Sequence, residues 1–128
     1  SFTHMSNLII DDSIKTPSIV FGKSGMFEIK GKSIPENSLE FYKPVFEWLD
    51  NYSQSPAPMT ELKVSLEYFN TSSSKCLLDI FRRLEIINLS GKSQVKVCWY
   101  YDADDEDMME AGEDYQALVK VPFELNKG

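Results

Sequence analysis

Four consecutive hydroxyl residues are the most chemically distinctive feature of this sequence. They are Thr71, Ser72, Ser73 and Ser74 in the segment EYFNTSSSK, residues 67–75, which joins a strand-like run to a helix-like one. A strand that leads into a helix brings backbone N–H groups and the positive end of the helix dipole to the carboxyl edge of a sheet. Because open α/β sheets place their functional groups at that edge, this segment is the first candidate for a functional site.

The surrounding sequence restricts the chemistry of these hydroxyls. Asn70 or Thr71 is expected to cap the helix, but a cap needs one such residue and not four. The segment lacks the glycines of a phosphate-binding loop, and no base is present to activate a serine as a hydrolytic nucleophile. The two best-supported interpretations are a capped helix start with solvated serines and a phosphate acceptor. A phosphoryl group on Thr71 would add a charge of about −1.5 to −2, which a helix N-terminus tolerates.

Length and composition indicate one ordinary globular domain. The 128 residues suffice for a single hydrophobic core, and the apolar fraction of 42% and charged fraction of 26% are typical of soluble proteins. The opening residues SFTHM resemble an expression-tag remnant ahead of a natural Met5, so residues 1–4 are set aside and residues 5–128 are predicted to form the domain. Neither a membrane span nor a signal peptide is predicted.

Histidine and cysteine usage excludes several kinds of active site. His4, the only histidine, falls in the presumed remnant, so histidine-based catalysis and His-containing zinc sites are not expected. Cys76 and Cys98 lie far apart in apolar segments without a CxxC motif. They are predicted to be buried reduced thiols, which indicates a reducing and therefore cytoplasmic compartment. No metal or cofactor is predicted.

The net charge of −7 has a local origin. The segment DADDEDMMEAGED, residues 102–114, holds eight acidic and no basic side chains; removing these from the total of 20 leaves 12 acidic residues against 13 basic ones. This distribution argues against nucleic-acid or anionic-membrane binding. The segment itself has three interpretations: carboxylates at a helix start, a docking face to which Met108 and Met109 add apolar contact, or a divalent-metal site, although glycine is missing at the sixth position of a calcium loop.

Hydrophobic periodicity predicts the element order β-β-α-β-α-β-α-β. The predicted elements are strands 18–21 and 26–30 around GKSG, a helix from Pro35 to Tyr52, a strand over 62–69, a helix with residues 76–87 on its buried stripe and Gly91 as its C-terminal cap, a strand over 94–101, a helix over 104–118 and a closing strand in VKVPFEL, 119–125.

Alternating strands and helices indicate an α/β fold with a mixed sheet of about five strands. The sheet is expected to be mostly parallel with an antiparallel hairpin, and one-faced alternation such as Leu62, Val64, Leu66 and Tyr68 predicts that three helices pack mainly on one face. Pro44 is expected to kink or split its helix. Pro122 predicts that the last strand lies at an edge.

Three long blocks carry a resemblance to a known family. The blocks PENSLEFYKPVFEWLDNY, LEYFNTSSSKCLLDIFRRL and VCWYYDADDEDMMEAGEDY resemble the SiaC-type regulatory phosphoproteins of bacteria, and the likeness runs from about Thr16 to Leu125. The resemblance implies a cytoplasmic switch protein that is not an enzyme, similar in logic to anti-sigma-factor antagonists, whose phosphorylated hydroxyl also begins a helix after a strand.

The resemblance also implies partners and a site. A cognate serine/threonine kinase would phosphorylate Thr71 and a metal-dependent phosphatase would remove the phosphate. The unphosphorylated form would bind and activate a diguanylate cyclase, which raises cyclic di-GMP and favours biofilm growth. The residues around the acceptor are expected to contact partners; they are Tyr68, Asn70, Ser72, Ser73, Ser74 and Lys75.

Two other functions stay open at the level of sequence. One is an antagonist in a partner-switching cascade that acts on an anti-sigma-type protein or another regulator. The other is a small enzyme or nucleotide binder that uses the serine cluster. The free chain is expected to be a monomer, because no self-complementary seam is visible in the sequence.

Overall fold

The computed structural model describes residues 6–128. Its elements in chain order are β1 (Leu8–Ile10), β2 (Ser18–Phe21), β3 (Met26–Ser33), α1 (Ser38–Tyr52), β4 (Met59–Phe69), α2 (Thr71–Leu89), β5 (Gln94–Tyr101), α3 (Glu106–Leu118) and β6 (Phe123–Lys127). All five predicted strands and three predicted helices are present. The expected tag remnant, residues 1–4, lies outside the described residues.

The six strands form one mixed sheet in the order β1-β2-β3-β4-β5-β6. The pairs β1–β2 and β2–β3 are antiparallel, whereas β3 to β6 run parallel to their neighbours. Each parallel connection passes through one helix and moves one position in the same direction. Since such crossovers are right-handed, all three helices lie on one face of the sheet, which confirms the predicted architecture.

The core lies between that face and the helices. Its largest fully buried side chains are Trp99, Tyr42, Tyr52, Phe21 and Phe81. The thiols of Cys76 and Cys98 are free and buried, as predicted. Burial is the main factor that raises the pKa of both thiols above the ordinary value, so these cysteines are held in the protonated form.

Helix α1 begins later than predicted and is not split. Asn37 caps it by accepting a hydrogen bond from the Glu40 backbone N–H at 3.1 Å, and the first helical residue is Ser38. The helix then continues through Pro44. Pro44 is exposed, so the Glu40 carbonyl that loses its helical donor there can bond to water, and the missing bond does not end the helix.

The alternation of β4 reverses near its end, which corrects one prediction. Leu62, Val64 and Leu66 are buried as expected, but Tyr68 is 58% exposed. The register with β3 shifts at this point, since Gly31 pairs with Leu66 and the next residue pairs with Tyr68. A β-bulge of this kind exchanges the two faces of a strand. Phe69 therefore turns inward, with its ring centroid 5.9 Å from that of Trp99, and Tyr68 points outward.

The two edge strands differ from expectation in extent. The strand predicted over 119–125 occupies Phe123–Lys127 and follows Pro122, whose carbonyl accepts a hydrogen bond from Val97 at 2.8 Å. Among the strands of residues 6–128 it pairs only with β5, so its predicted edge position is confirmed. Strand β1 was not predicted, because three residues are too few to show an alternating pattern.

Candidate phosphorylation site at the start of helix α2

The candidate site lies where β4 ends and α2 begins. Because β3, β4 and β5 are parallel, the helices that follow them all begin at the same carboxyl edge of the sheet. Asn70 is the single residue between β4 and α2. Its backbone N–H donates to the Ser33 carbonyl at 3.0 Å, so the last residue of β3 fixes the position of the α2 N-terminus.

Asn70 is the N-cap of α2. Its side-chain oxygen accepts from the Ser73 backbone N–H at 2.8 Å, which satisfies one of the free donors at the helix start. The first turn, Thr71–Ser74, contains no acidic residue. The positive end of the α2 dipole is therefore not compensated by a carboxylate within the helix.

Ser73 is an interior residue. It is fully buried, and its hydroxyl lies 2.8 Å from the Ser33 hydroxyl and donates to the Ser33 carbonyl at 3.1 Å. The Ser33 hydroxyl in turn lies 2.7 Å from the Tyr42 hydroxyl. Burial raises the pKa of Tyr42 to about 12, so this phenol remains protonated and available to the network.

Ser72 is held by α1. Its hydroxyl lies 2.6 Å from the hydroxyl of Ser38 and donates to the Asn70 side-chain oxygen at 3.2 Å. Ser38 is only 3% exposed and also lies 3.3 Å from the Ser73 hydroxyl. The side chain of Ser72 is consequently turned toward α1, although the residue itself is on the surface.

The side-chain hydroxyl and the backbone carbonyl of Ser74 both form hydrogen bonds. Its hydroxyl donates to the Thr71 carbonyl at 2.7 Å, and its own carbonyl accepts from the Tyr115 hydroxyl of α3 at 2.7 Å. Burial raises the pKa of Tyr115 well above the ordinary value. The start of α2 is thus linked to β3, α1 and α3.

Thr71 differs from the three serines. It is the first residue of α2 and is exposed. Within the described residues 6–128 its hydroxyl has no hydrogen-bond partner, whereas all three following hydroxyls have one. Lys75, four residues further on, is also exposed and lies on the same face of the helix.

The predicted site residues therefore separate into two groups. Tyr68, Thr71, Ser72 and Lys75 are exposed, and Asn70 and Ser74 are partly so. Ser73 does not reach the surface, so the structure does not place it among residues that can contact a partner. Its hydrogen bonds give it a different role, which is to fix the start of the helix.

Three residues of the network were missed from the sequence, namely Ser33, Ser38 and Tyr42. Ser33 and Ser38 lie 34 to 40 positions before their hydrogen-bond partners in α2, and Tyr42 bonds to Ser33. No local pattern marks them, because a serine at the end of a strand or the start of a helix is common.

The acidic segment begins α3 at the same edge. Asp105 caps this helix by accepting from the Met108 backbone N–H at 2.9 Å, and Glu106 and Asp107 occupy the first turn. Met108 is buried at 6% exposure, so it belongs to the core and does not contribute to a docking face as the sequence suggested. In residues 6–128, no three His, Cys, Asp or Glu side chains are arranged to hold a metal ion.

Known proteins with the same fold were found at high similarity. The chain is similar to an uncharacterized protein of Pseudomonas aeruginosa strain UCBPP-PA14, with 33% identity over 122 residues. This match covers 94% of the chain and 96% of the relative. It superposes on apo-SiaC from Pseudomonas aeruginosa with a TM-score of 0.86 at 32% identity, covering 95% of this chain and 99% of that one.

A chain from the crystal structure of diguanylate cyclase SiaD in complex with its activator SiaC, also from Pseudomonas aeruginosa, matches with a TM-score of 0.85. The identity is 31%, and the match covers 94% of this chain and 99% of that one. None of the helices in the described part of the chain is long and apolar enough to cross a membrane. The family model described as "SiaC family regulatory phosphoprotein" matches residues 10–128, and the chain therefore belongs to the SiaC family.

Proposed function

We propose that this chain is a phosphorylation-gated regulatory protein whose acceptor is Thr71. In the unphosphorylated form it binds and activates a diguanylate cyclase. A serine/threonine kinase switches it off by phosphorylating Thr71, and a metal-dependent phosphatase restores it. The chain acts as a substrate and an effector in the cytoplasm and catalyses no reaction itself.

The observation that carries this proposal is the contrast among four adjacent hydroxyls. Thr71 is exposed and its hydroxyl has no partner within the described chain, whereas Ser72, Ser73 and Ser74 are each hydrogen-bonded. An acceptor oxygen without internal hydrogen bonds can be positioned in a kinase active site without the cost of breaking such bonds. Thr71 meets that requirement at no cost to the fold.

The electrostatics of α2 support a phosphate at this position. The first turn carries no acidic side chain, so an added dianion would meet the positive end of the helix dipole without like-charge repulsion from that turn. Lys75 lies one turn further along the same face. Phosphorylation is therefore expected to leave the fold intact and to change only the surface.

The effect on a partner follows from desolvation. The related SiaC is the activator of the cyclase SiaD and is found in complex with it. A partner surface that packs against the neutral Thr71 hydroxyl would meet an unpaired charge after phosphorylation. Such a mismatch costs several kcal/mol, roughly 2 to 5, which weakens binding by about thirtyfold to several thousandfold.

Mass spectrometry of the chain purified from its native host tests the acceptor assignment. We expect one phosphoryl group, localised to Thr71, and at most a trace of phosphate on other residues in Thr71→Ala. Glu113→Ala, a substitution of an exposed residue on α3, serves as a folding and handling control and keeps the modification. Equal phosphorylation of Thr71→Ala and the parent would refute the assignment.

A pull-down with the unphosphorylated chain tests the partner. We expect the pull-down to recover a diguanylate cyclase. Both the parent and Thr71→Ala should stimulate the activity of that cyclase. Recovery of an anti-sigma-type protein in place of a cyclase would establish the partner-switching alternative and contradict this part of the proposal.

A further inference from the structure

We infer that Ser38 of α1 determines which hydroxyl of the cluster is phosphorylated, by holding the hydroxyl of Ser72 away from solvent. The inference rests on the proposed function, since it concerns the selection of Thr71 over its neighbour. Ser72 is the closest competitor because it is the other exposed hydroxyl residue of the cluster.

The geometry assigns this role to Ser38 more than to any other residue. The Ser38–Ser72 hydroxyl distance is 2.6 Å, at the short end for such a bond. The second bond of Ser72, to Asn70, is long at 3.2 Å and lies outside the usual range for an O–H donor. Ser38 itself is buried, so its hydroxyl cannot turn to water and remains directed at its neighbours in α2.

The remaining two serines are protected in other ways. Ser73 has no exposed surface, and the Ser74 hydroxyl donates to a backbone carbonyl, that of Thr71, which no side-chain substitution removes. Only the protection of Ser72 depends on a single side chain elsewhere in the fold. That dependence makes the inference testable by mutation.

The reaction concerned is ordinary phosphoryl transfer from ATP on the kinase. The Ser72 oxygen would attack the γ-phosphorus; an O–P bond forms, the bond from the γ-phosphorus to the β–γ bridging oxygen breaks, and ADP leaves with the electron pair. The hydroxyl proton passes to the kinase. The attacking oxygen must point out of the protein, and the hydrogen bond to Ser38 prevents this. Without that bond the Ser72 side chain can adopt other staggered rotamers, some of which direct the hydroxyl outward.

The test compares three chains that each replace the natural one in the native host, with phosphate located by tandem mass spectrometry. They are Thr71→Ala, Thr71→Ala/Ser38→Ala and Thr71→Ala/Ser33→Ala. We expect phosphate on Ser72 of the Ser38→Ala double variant at a level roughly fivefold to tenfold above Thr71→Ala, the factor that corresponds to one net hydrogen bond.

Ser33→Ala is the matched control. It also removes a buried hydroxyl that bonds to Ser73, and so it loosens the same network, but it leaves the Ser38–Ser72 pair in place. Its level of Ser72 phosphate is expected to equal that of Thr71→Ala. Thermal unfolding of all three chains verifies that they are folded, and Ser38→Cys, which is close in size, replaces Ser38→Ala if that variant does not fold.

The outcomes separate this inference from the proposed function. If the parent carries phosphate on Thr71 but the Ser38 double variant has no more phosphate on Ser72 than Thr71→Ala has, the inference is wrong and the proposed function stands. Equal gains of Ser72 phosphate in the Ser38 and Ser33 variants would also overturn it, because general loosening would then be the cause. A parent that is never phosphorylated on Thr71 would overturn both.

Discussion

The N-termini of α2 and α3 occupy equivalent places in the fold and carry opposite chemistry. Both helices follow a parallel strand and begin at the same edge of the sheet. The α3 N-terminus has the acidic cap Asp105 and the carboxylates of Glu106 and Asp107 in its first turn. The α2 N-terminus has a neutral cap, Asn70, and no acidic residue in its first turn.

The two helices are also anchored differently. Helix α3 is fixed by close packing of Gly112 against Trp99 and by a hydrogen bond from the Trp99 indole N–H to the Met108 carbonyl at 3.0 Å. Helix α2 is fixed at its start by the buried and hydrogen-bonded hydroxyls of Ser33, Ser73 and Tyr42, which we call the α2 anchor. Negative charge is therefore permanent at the α3 start, whereas at the α2 start the proposed phosphorylation of Thr71 would add it beside a network of buried hydroxyls.

Adding charge at α2 should have the largest effect. We expect phosphorylation of Thr71 to weaken cyclase binding at least about thirtyfold, from an electrostatic mismatch of roughly 2 to 5 kcal/mol. Isothermal titration of the cyclase with the bare and the phosphorylated chain measures this. Removing a permanent charge with Glu106→Gln is the control and should change affinity less than threefold; equal affinity of both phosphorylation states would refute the switch.

High pH should weaken the α2 anchor. The pKa of Tyr42 is raised by burial to about 12 from 10.0, so the unfolded chain loses this proton first. The corresponding stability is complete below pH 10 and is lost as pH rises through 12, by up to about 2 to 3 kcal/mol. Urea unfolding from pH 9 to 12 measures the slope. Tyr42→Phe should show a shallower decline over this range, and an unchanged slope would contradict the assignment.

A substitution at Gly112 tests how strongly packing against Trp99 stabilises α3. In Gly112→Ala the new Cβ would lie 2.5 Å from Cδ1 of Trp99 and 2.8 Å from Cδ2 of Leu125. Overpacking of this kind costs about 1 to 3 kcal/mol and outweighs the gain of about 1 kcal/mol in helix propensity. Chemical denaturation measures the loss. The exposed neighbour Glu113 supplies the control, since Glu113→Ala should stay within about 0.5 kcal/mol of the parent.

Substitutions of two adjacent serines test whether burial of a hydroxyl determines its contribution to stability. Ser73→Ala leaves the buried hydroxyl of Ser33 with one partner fewer and should destabilise the chain by about 1 to 2 kcal/mol. Ser74→Ala removes only a bond to the carbonyl one turn before it and should cost less than about 0.5 kcal/mol. Thermal unfolding of both variants gives the comparison. Equal losses would show that burial of the hydroxyl does not distinguish the two positions.

Exchanging the caps should have the smallest effect. Asn70→Asp places a permanent charge at α2, and Asp105→Asn removes one from α3. We expect a gain and a loss of about 0.3 to 1 kcal/mol respectively, both reduced in high salt. Denaturation at low and high salt measures them. A gain of stability in Asp105→Asn would show that charges at this edge already repel one another, contrary to the comparison.

The sequence predicted the parts of this protein that depend on neighbours along the chain. Periodicity located three helices and five strands, and the strand-to-helix junction at Asn70 identified the candidate site. The errors have physical causes that a local pattern cannot contain. A bulge opposite Gly31 turned Tyr68 outward, and the three residues of β1 gain their strand conformation from pairing with β2.

The sequence alone determined that the hydroxyl cluster lies at a helix start at the carboxyl edge of a mostly parallel sheet, with Asn70 or Thr71 as the cap, because capping and periodicity act over a few residues. Only the tertiary structure decided which of the four adjacent hydroxyls lacks a hydrogen-bond partner within residues 6–128. Ser33 and Ser38 meet the start of α2 from 34 to 40 positions away, and such contacts form only after β3 and α1 have packed beside it. Hydrogen-bond partners at that separation are set by the packing of the whole domain and not by the local sequence.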